Sequence, residues 1–281
     1  MEALVIAMVL LAAALHAGWN LMVKIRGERM LVMAMITGWS GICSAVLLPF
    51  VQVPTADVWP YIAASLVLHN LYYLFLISAY RHGDLSHVYP IARGSAPLFV
   101  AILSVFVLGE EIDQRGMIAI GLIAGGLMSL ALTRGVGGLR DTRAILYALG
   151  TGAFVALYTI VDGTGARLAS SPHAYTFWLF ALDGIPLALF AVVVKRRQIG
   201  PFLRENWHAG LIAGSVSMAS AWLFIWALTL APIPYVAALR EMGMVFAVIL
   251  GVVVLKERLD LVKLAAVAST LAGTVMLRIN R

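Results

Sequence analysis

Ten apolar stretches, at 3–23, 30–50, 58–80, 88–108, 116–133, 143–162, 174–194, 207–230, 234–255 and 262–279, constrain this chain more than anything else in it. Each is close to the roughly 20 residues that a tilted helix needs to cross the hydrocarbon of a bilayer. Within lipid every backbone N–H and C=O must find its partner inside the protein, and a run apolar on all sides does so as a helix. Charged residues make up 12% of the sequence, about half the share usual in a soluble protein. The connections are short and leave no room for a soluble domain between them. The expected fold class is an all-α polytopic membrane protein with ten transmembrane helices. The first stretch is expected to remain as a span and not to be cleaved as a signal peptide. Only Met1 and Glu2 precede it, no basic residue among them, and its apolar run is too long.

Shifting the sequence by 147 residues (240 − 93) lays "LREMGMVFAVILGVVVLKERLD" on "ARGSAPLFVAILSVFVLGEEID". Arg93 then meets Arg240, Phe99 meets Phe246, Glu110 meets Glu257, Asp113 meets Asp260 and, further on, Gly126 meets Gly273. Apolar coincidences between membrane helices are common, but Arg, Glu and Asp in a single register are not. The chain therefore reads as two five-helix repeats, 1–136 and 137–281, joined near "GVGGLRDTR". Five is odd, so equivalent helices cross in opposite directions, the inverted arrangement that transporters use for alternating access. Arg93 and Arg240, each about five residues into its helix, are then expected about 8 Å from opposite membrane faces. They read as two gates and not as one clamp.

With these residues in view, the chain resembles the EamA-type transporters of the drug/metabolite transporter superfamily. The ends "VLGEE" and "VLKER" of the fourth and ninth spans resemble that family's recurring Leu-Gly-Glu. Glu110 and Glu257 match it, while Lys256 stands where the second copy should have glycine. "LLAAALHAGWNLMVK" at 10–24 resembles the polar-aromatic end of the family's first helix. The resemblance covers essentially the whole chain. It implies ten helices around a central cavity and transport of small metabolites, often outward, at a bacterial inner membrane.

An arginine inside a span costs roughly 2.5–3.5 kcal/mol on the insertion scale. Pro97 cannot donate the helical bond to the Arg93 carbonyl, and Pro186 does the same to Leu182, beside Asp183. Polar and aromatic residues recur at i, i+3, i+4 spacing and so share helix faces. These are His16, Trp19 and Asn20 on the first span, His69, Tyr72 and Tyr73 on the third, and Tyr158, Thr159 and Asp162 on the sixth. Trp222 and Trp226 align on the eighth. Polar groups at membrane depth face the bundle interior, so these faces are expected to line one cavity and, with Arg93 and Arg240, to bind or gate a substrate. Asp162 lies near the expected end of its span and reads equally as a surface residue. The tryptophan pair reads equally as an interfacial belt.

Glu241, Asp162 and His69 are the candidates for proton coupling, histidine being the side chain that titrates near neutrality. "GLIAG" at 121–125, with Ser269 and Gly273 on the tenth span, reads as helix packing or as the face of a homodimer, leaving monomer and dimer both open. Cys43 is read as a small core hydrophobe.

No zinc-protease, serine-hydrolase or nucleotide-loop motif is present, and no catalytic residue, metal site or cofactor is expected. His82 and His87 around Asp84 are too sparse for a metal. The partners expected are a small-molecule substrate and the lipid bilayer, without nucleic acid. The favoured reading is a secondary transporter of a small polar or amphipathic anion or zwitterion, such as an amino acid or organic acid, working outward. The alternatives are an exporter of lipophilic cations, which the arginines would repel, and an intramembrane enzyme, which lacks a nucleophile–base pair.

Basic residues set the orientation. The odd-numbered connections hold fourteen, from Lys24 and Arg26 through Arg81, Arg143 and Lys195–Arg197 to Lys263, against four (Arg115, Arg167, Arg278 and Arg281) in the even-numbered connections and termini. The positive-inside rule then puts both termini outside, whereas the resemblance implies cytoplasmic termini. Following the charge count, a reporter active only in the cytoplasm should stay silent when fused to Arg281. A bright fusion would overturn the count.

Overall fold

A computed structural model describes residues 2–25, 29–83, 85–132, 141–254, 256 and 260–279. Glu257, Asp84, Arg26, Arg134, Arg140, Arg258, Arg281 and most of the repeat junction lie outside the described residues. The chain is helical: α1 Ala3–Ile25, α2 Arg29–Leu47, α3 Trp59–His82, α4 Leu85–Leu108, α5 Gln114–Ser129, α6 Thr142–Leu168, α7 Pro172–Val194, α8 Arg196–Leu230, α9 Ile233–Arg240, α10 Met242–Val253 and α11 Leu261–Ile279. Among the described residues, nine spans are long and apolar enough to cross a membrane, α9 and α10 together making one of them. The tenth, α5, has 16 residues and is prolonged by a 3-10 turn at Leu130–Leu132.

Three elements differ from the sequence expectation. The sixth span runs on to Leu168, so Asp162 lies inside a helix and is buried, not at a surface. The basic stretch at 194–205, expected as a loop, is mostly the first part of α8, which is separated from α7 by Lys195 alone. Arg, Gln, Leu and Glu are all good helix formers, and Pro201 removes only one intrahelical bond. The ninth span is broken. Glu241, with φ −67° and ψ −9°, separates α9 from α10. There the ladder tightens to i→i+3 bonds, from Glu241 N–H to the Ala238 carbonyl and from Met244 N–H to the Glu241 carbonyl.

The helices interlock across the repeats. α3 packs on α6 and its counterpart α8 on α1; α4 packs on α6, and the broken ninth span on α1. Two pairs of mutually equivalent helices, α2 with α7 and α5 with α11, pack directly, so a pseudo-two-fold axis runs between them. Small residues let the backbones touch there. A Cβ on Gly184 of α7 would lie 2.6 Å from the Thr37 carbonyl oxygen of α2, and one on Gly273 of α11 would lie 2.6 Å from that of Ala119 on α5. The small face used on α5 is Gly126, against Ser269, whose hydroxyl donates to the Leu122 carbonyl at 2.7 Å. Gly121 and Gly125 of "GLIAG" point away from this contact into open space, because they sit about 100° round the helix from it. The apolar exterior is that of a bilayer protein: Phe106, Val193 and Leu189 are exposed, while Asp162, Asp183, Glu241 and Arg93 are buried.

The helix-end motif has a mechanical explanation. Gly109 ends α4 in the left-handed region at φ 66°, where only glycine is free of strain. Glu110 then folds back, its N–H reaching the Ser104 carbonyl at 3.0 Å. Its carboxylate accepts from Ile233 N–H, the first of α9, at 3.1 Å and from Arg167 Nη1 at 2.9 Å. Arg167 also donates to the Leu228 and Ala231 carbonyls at the end of α8. One Glu–Arg pair thus ties together the ends of α4, α6 and α8 and the start of α9. Lys256, the repeat equivalent of Gly109, holds the same left-handed backbone at φ 55°. A side chain in that region costs about 1–2 kcal/mol. Lys256→Gly should therefore stabilise the protein by about 1 kcal/mol and Gly109→Ala should destabilise it. Thermal unfolding in detergent reads both shifts.

Candidate functional site

The span that carries Arg93 begins at Leu85 and the one that carries Arg240 begins at Ile233, so the arginines lie about 12 and 10 Å from their own ends. Entering from opposite sides of a core about 30 Å thick, they come within reach of one level near the middle. The two-gate expectation is corrected accordingly. Both guanidinium groups line a single cavity of about 90 Å³. Their helices start farther out than the hydropathy suggested, and the long side chains close the remaining gap.

Among the described residues, the walls come from eight of the ten spans, all but α5 and α11. α1 supplies His16 and Trp19, α3 supplies His69, Tyr72 and Tyr73, and α6 supplies Tyr158. These six are where the helical spacing placed them, because the faces that carry them are the ones that turn inward. The aromatics are packed edge and face: His16 meets Trp19 at 5.0 Å and 85°, His69 stacks on Tyr158 at 4.1 Å, and Tyr72 lies 6.0 Å from Tyr158. His69 Nδ1 lies 2.9 Å from the Ser65 carbonyl, which orients its ring.

The two arginines are held differently. Arg93 Nη2 donates to Glu241 Oε1 at 2.7 Å, and both residues are buried. The pair joins α4 of one repeat to the break in the ninth span of the other. Arg240, one residue before that break, lays its guanidinium 3.9 Å over the Phe224 ring, a cation–π contact. Its Nε is buried without a hydrogen-bond partner among the described residues. A buried pair that loses one partner costs about 3–5 kcal/mol, so Arg93 and Glu241 anchor the site while Arg240 is the guanidinium available to a ligand.

Several expected cavity residues lie elsewhere. Asn20 turns back along its own helix and donates to the His16 carbonyl at 2.7 Å. Thr159 does likewise to Val155. Asp162 accepts from the Tyr175 hydroxyl at 2.9 Å and is sealed between α6 and α7. Trp222 and Trp226 stack on each other at 5.8 Å, and Trp222 Nε1 donates to His173 Nδ1 at 2.8 Å. The face of α8 that reaches the cavity is Ser217, Ser220 and Ala221, about 100° away from Trp222. His173, at the start of α7, was not singled out by any spacing. Cys43 packs α2 on α8, 3.3 Å from the Ser215 hydroxyl.

The remaining walls are Met33, Ile36, Thr37 and Ser40 of α2 and Phe180 and Asp183 of α7. Asp183 was legible as an intramembrane carboxylate beside a proline, the kind of residue that marks a pathway. Thr37 and Ser40 carried no such signal. Among the described residues no group of three metal-ligating side chains occurs.

Cysteines at His69, Tyr73 and Trp19, each in a Cys43→Ala background, should react with a small aqueous thiol reagent in protein that alternates between its access states. A cysteine at Tyr175, which is fully buried, should not. Equal rates at all four positions would mean that the lining is mere packing.

The model of the EamA-like transporter family matches twice, over residues 3–132 and 142–279. Among 28 matching solved chains, one crystal structure of a protein superposes with a TM-score of 0.82 at 17% identity. The match covers 100% of both chains, a likeness that shows the fold alone. No curated protein sequence matches significantly.

Proposed function

The chain belongs to the EamA-like transporter family, within the drug/metabolite transporter superfamily, and from that premise we propose that it exports a small anionic or zwitterionic metabolite by alternating access. The observation that carries this reading is the free guanidinium of Arg240, set in a polar-aromatic cavity at a break in a spanning helix. The cavity is built from both repeats, and the interface between repeats is where inverted-repeat transporters hold substrate. A planar guanidinium offers a carboxylate or similar anion two parallel hydrogen bonds. His16, Trp19, Tyr72, Tyr73 and Tyr158 supply the apolar and hydroxyl walls, which suit a compact polar solute. A lipophilic cation fits less well: Arg240 would repel it, and Glu241 is taken by Arg93.

The Glu110–Arg167 tie supports alternating access as well. It fastens one end of the bundle through one ion pair and two helix-end carbonyls that can release together. Of the three candidates for proton coupling, His69 lines the cavity, whereas Glu241 is ion-paired and Asp162 is held by Tyr175. His69 is therefore the proton-coupling candidate whose side chain faces the cavity. The protein acts as a monomer or through the outward-facing Gly121 and Gly125.

Counterflow of amino acids and small organic acids into proteoliposomes tests the reading. Arg240→Ala should abolish flux with little loss of stability, and Arg240→Lys should restore part of it, since a point charge replaces the fork. Arg93→Ala should abolish flux and also destabilise the protein by about 3–5 kcal/mol. Full flux by Arg240→Ala would remove that residue from the site.

A further inference from the structure

The cavity holds one charged group that the reading above leaves idle. Asp183 lies in the middle of α7, is only 4% exposed and lines the cavity. Its Oδ1 has no hydrogen-bond partner among the described residues. Ser40 of α2 lines the same cavity, and its hydroxyl too is buried with no hydrogen-bond partner among the described residues. Thr37 spends its hydroxyl proton on the Met33 carbonyl at 3.0 Å, so its oxygen is left with acceptor capacity. Pro186 denies a helical bond to the Leu182 carbonyl, next to Asp183. Tyr72, Tyr73 and Phe180 complete the surroundings. This is a wall rich in oxygen acceptors with aromatic rings beside it, and its one formal charge is negative. Such a wall suits a primary ammonium, which has three donors and is attracted to ring faces.

Charge balance narrows the ligand further. Arg93 is neutralised by Glu241. Among the arginines and carboxylates that line the cavity, that leaves Arg240 and Asp183. A simple anion would pair Arg240 and leave Asp183 buried and uncompensated; a simple cation would do the reverse. A molecule with one carboxylate and one ammonium compensates both. Resting on the reading of this cavity as the substrate site, we infer that the substrate is a zwitterion and that Asp183, with Ser40 and Thr37, is the subsite for its ammonium group. Arg240 takes the carboxylate. The cavity volume is only about 90 Å³, which suits a small substrate.

The test uses compounds that differ only in charge. Purified wild-type protein is titrated with alanine and serine, with the matched hydroxy acids lactate and glycerate, and with ethanolamine, following thermal stabilisation. The amino acids should stabilise it at concentrations at least tenfold lower than either other set. Asp183→Asn keeps the shape and removes the charge. It should weaken amino-acid binding by about ten- to a hundredfold, the range expected for a hydrogen bond to a charged group. The weak binding of the hydroxy acids should stay the same or improve. Hydroxy acids that bind as well as the amino acids, in wild type alone, would overturn the ammonium subsite while leaving the anion reading standing. Unchanged amino-acid binding by a folded Asp183→Asn would overturn it too. If none of the three sets binds, the reading of the cavity as an anion or zwitterion site fails, and the inference fails with it.

Discussion

The buried contact between Arg93 and Glu241 organises the centre of this protein. It joins the fourth span of one repeat to the break in the ninth span of the other, so the two halves share a single charged pair at membrane depth. Removing either partner would leave the other as a buried charge without its counter-ion. Together they make a neutral unit, and that neutrality leaves the second arginine free to act on whatever enters the cavity. The symmetry of the repeats is broken at this point. Gly94 occupies the position equivalent to Glu241, so the first repeat has an arginine without a neighbouring acid and the second has both.

That asymmetry explains how a duplicated scaffold can hold an asymmetric ligand. The helix pairs on the pseudo-axis, α2 with α7 and α5 with α11, pack through glycine and serine and carry the architecture. The cavity borrows from all the spans but α5 and α11, and its residues differ between the halves. His69 and Tyr73 on α3 face a wall that their counterparts on α8 do not reproduce. The free guanidinium and the free carboxylate are both in the second half, on α9 and α7. The Glu110–Arg167 tie is at the periphery, fastening helix ends far from the charged centre. A motif that reads as a family signature is thus a turn and a cap: glycine for a left-handed backbone, glutamate for the amide of α9 and for an arginine that covers loose carbonyls.

Much of this was legible in the residues. The spans are legible because hydrocarbon tolerates only long apolar helices, and the inversion follows from an odd number of spans per repeat. The cavity faces on α1, α3 and α6 follow from helical spacing, since His16, Trp19, His69, Tyr72, Tyr73 and Tyr158 repeat at three and four residues and the interior is the only place for them. Even the strained Lys256 is visible as a lysine where the other copy has glycine.

What tertiary structure alone decided is which groups meet. Sequence spacing places a residue around and along its own helix, but pairing across 148 positions, as between Arg93 and Glu241, depends on tilt, on where each helix begins and on how far a side chain reaches. For that reason two arginines expected at opposite faces share one cavity. It is also why Trp222 and Trp226 turn to His173 and why Asp162 is closed off by Tyr175 while Asp183 is left open. The sequence by itself determined an inverted ten-span bundle with charges inside it, because the bilayer forbids the alternatives. Which of those charges cancel and which remain for a ligand was decided by packing, where a rotation of one residue moves a side chain about 100° around its helix.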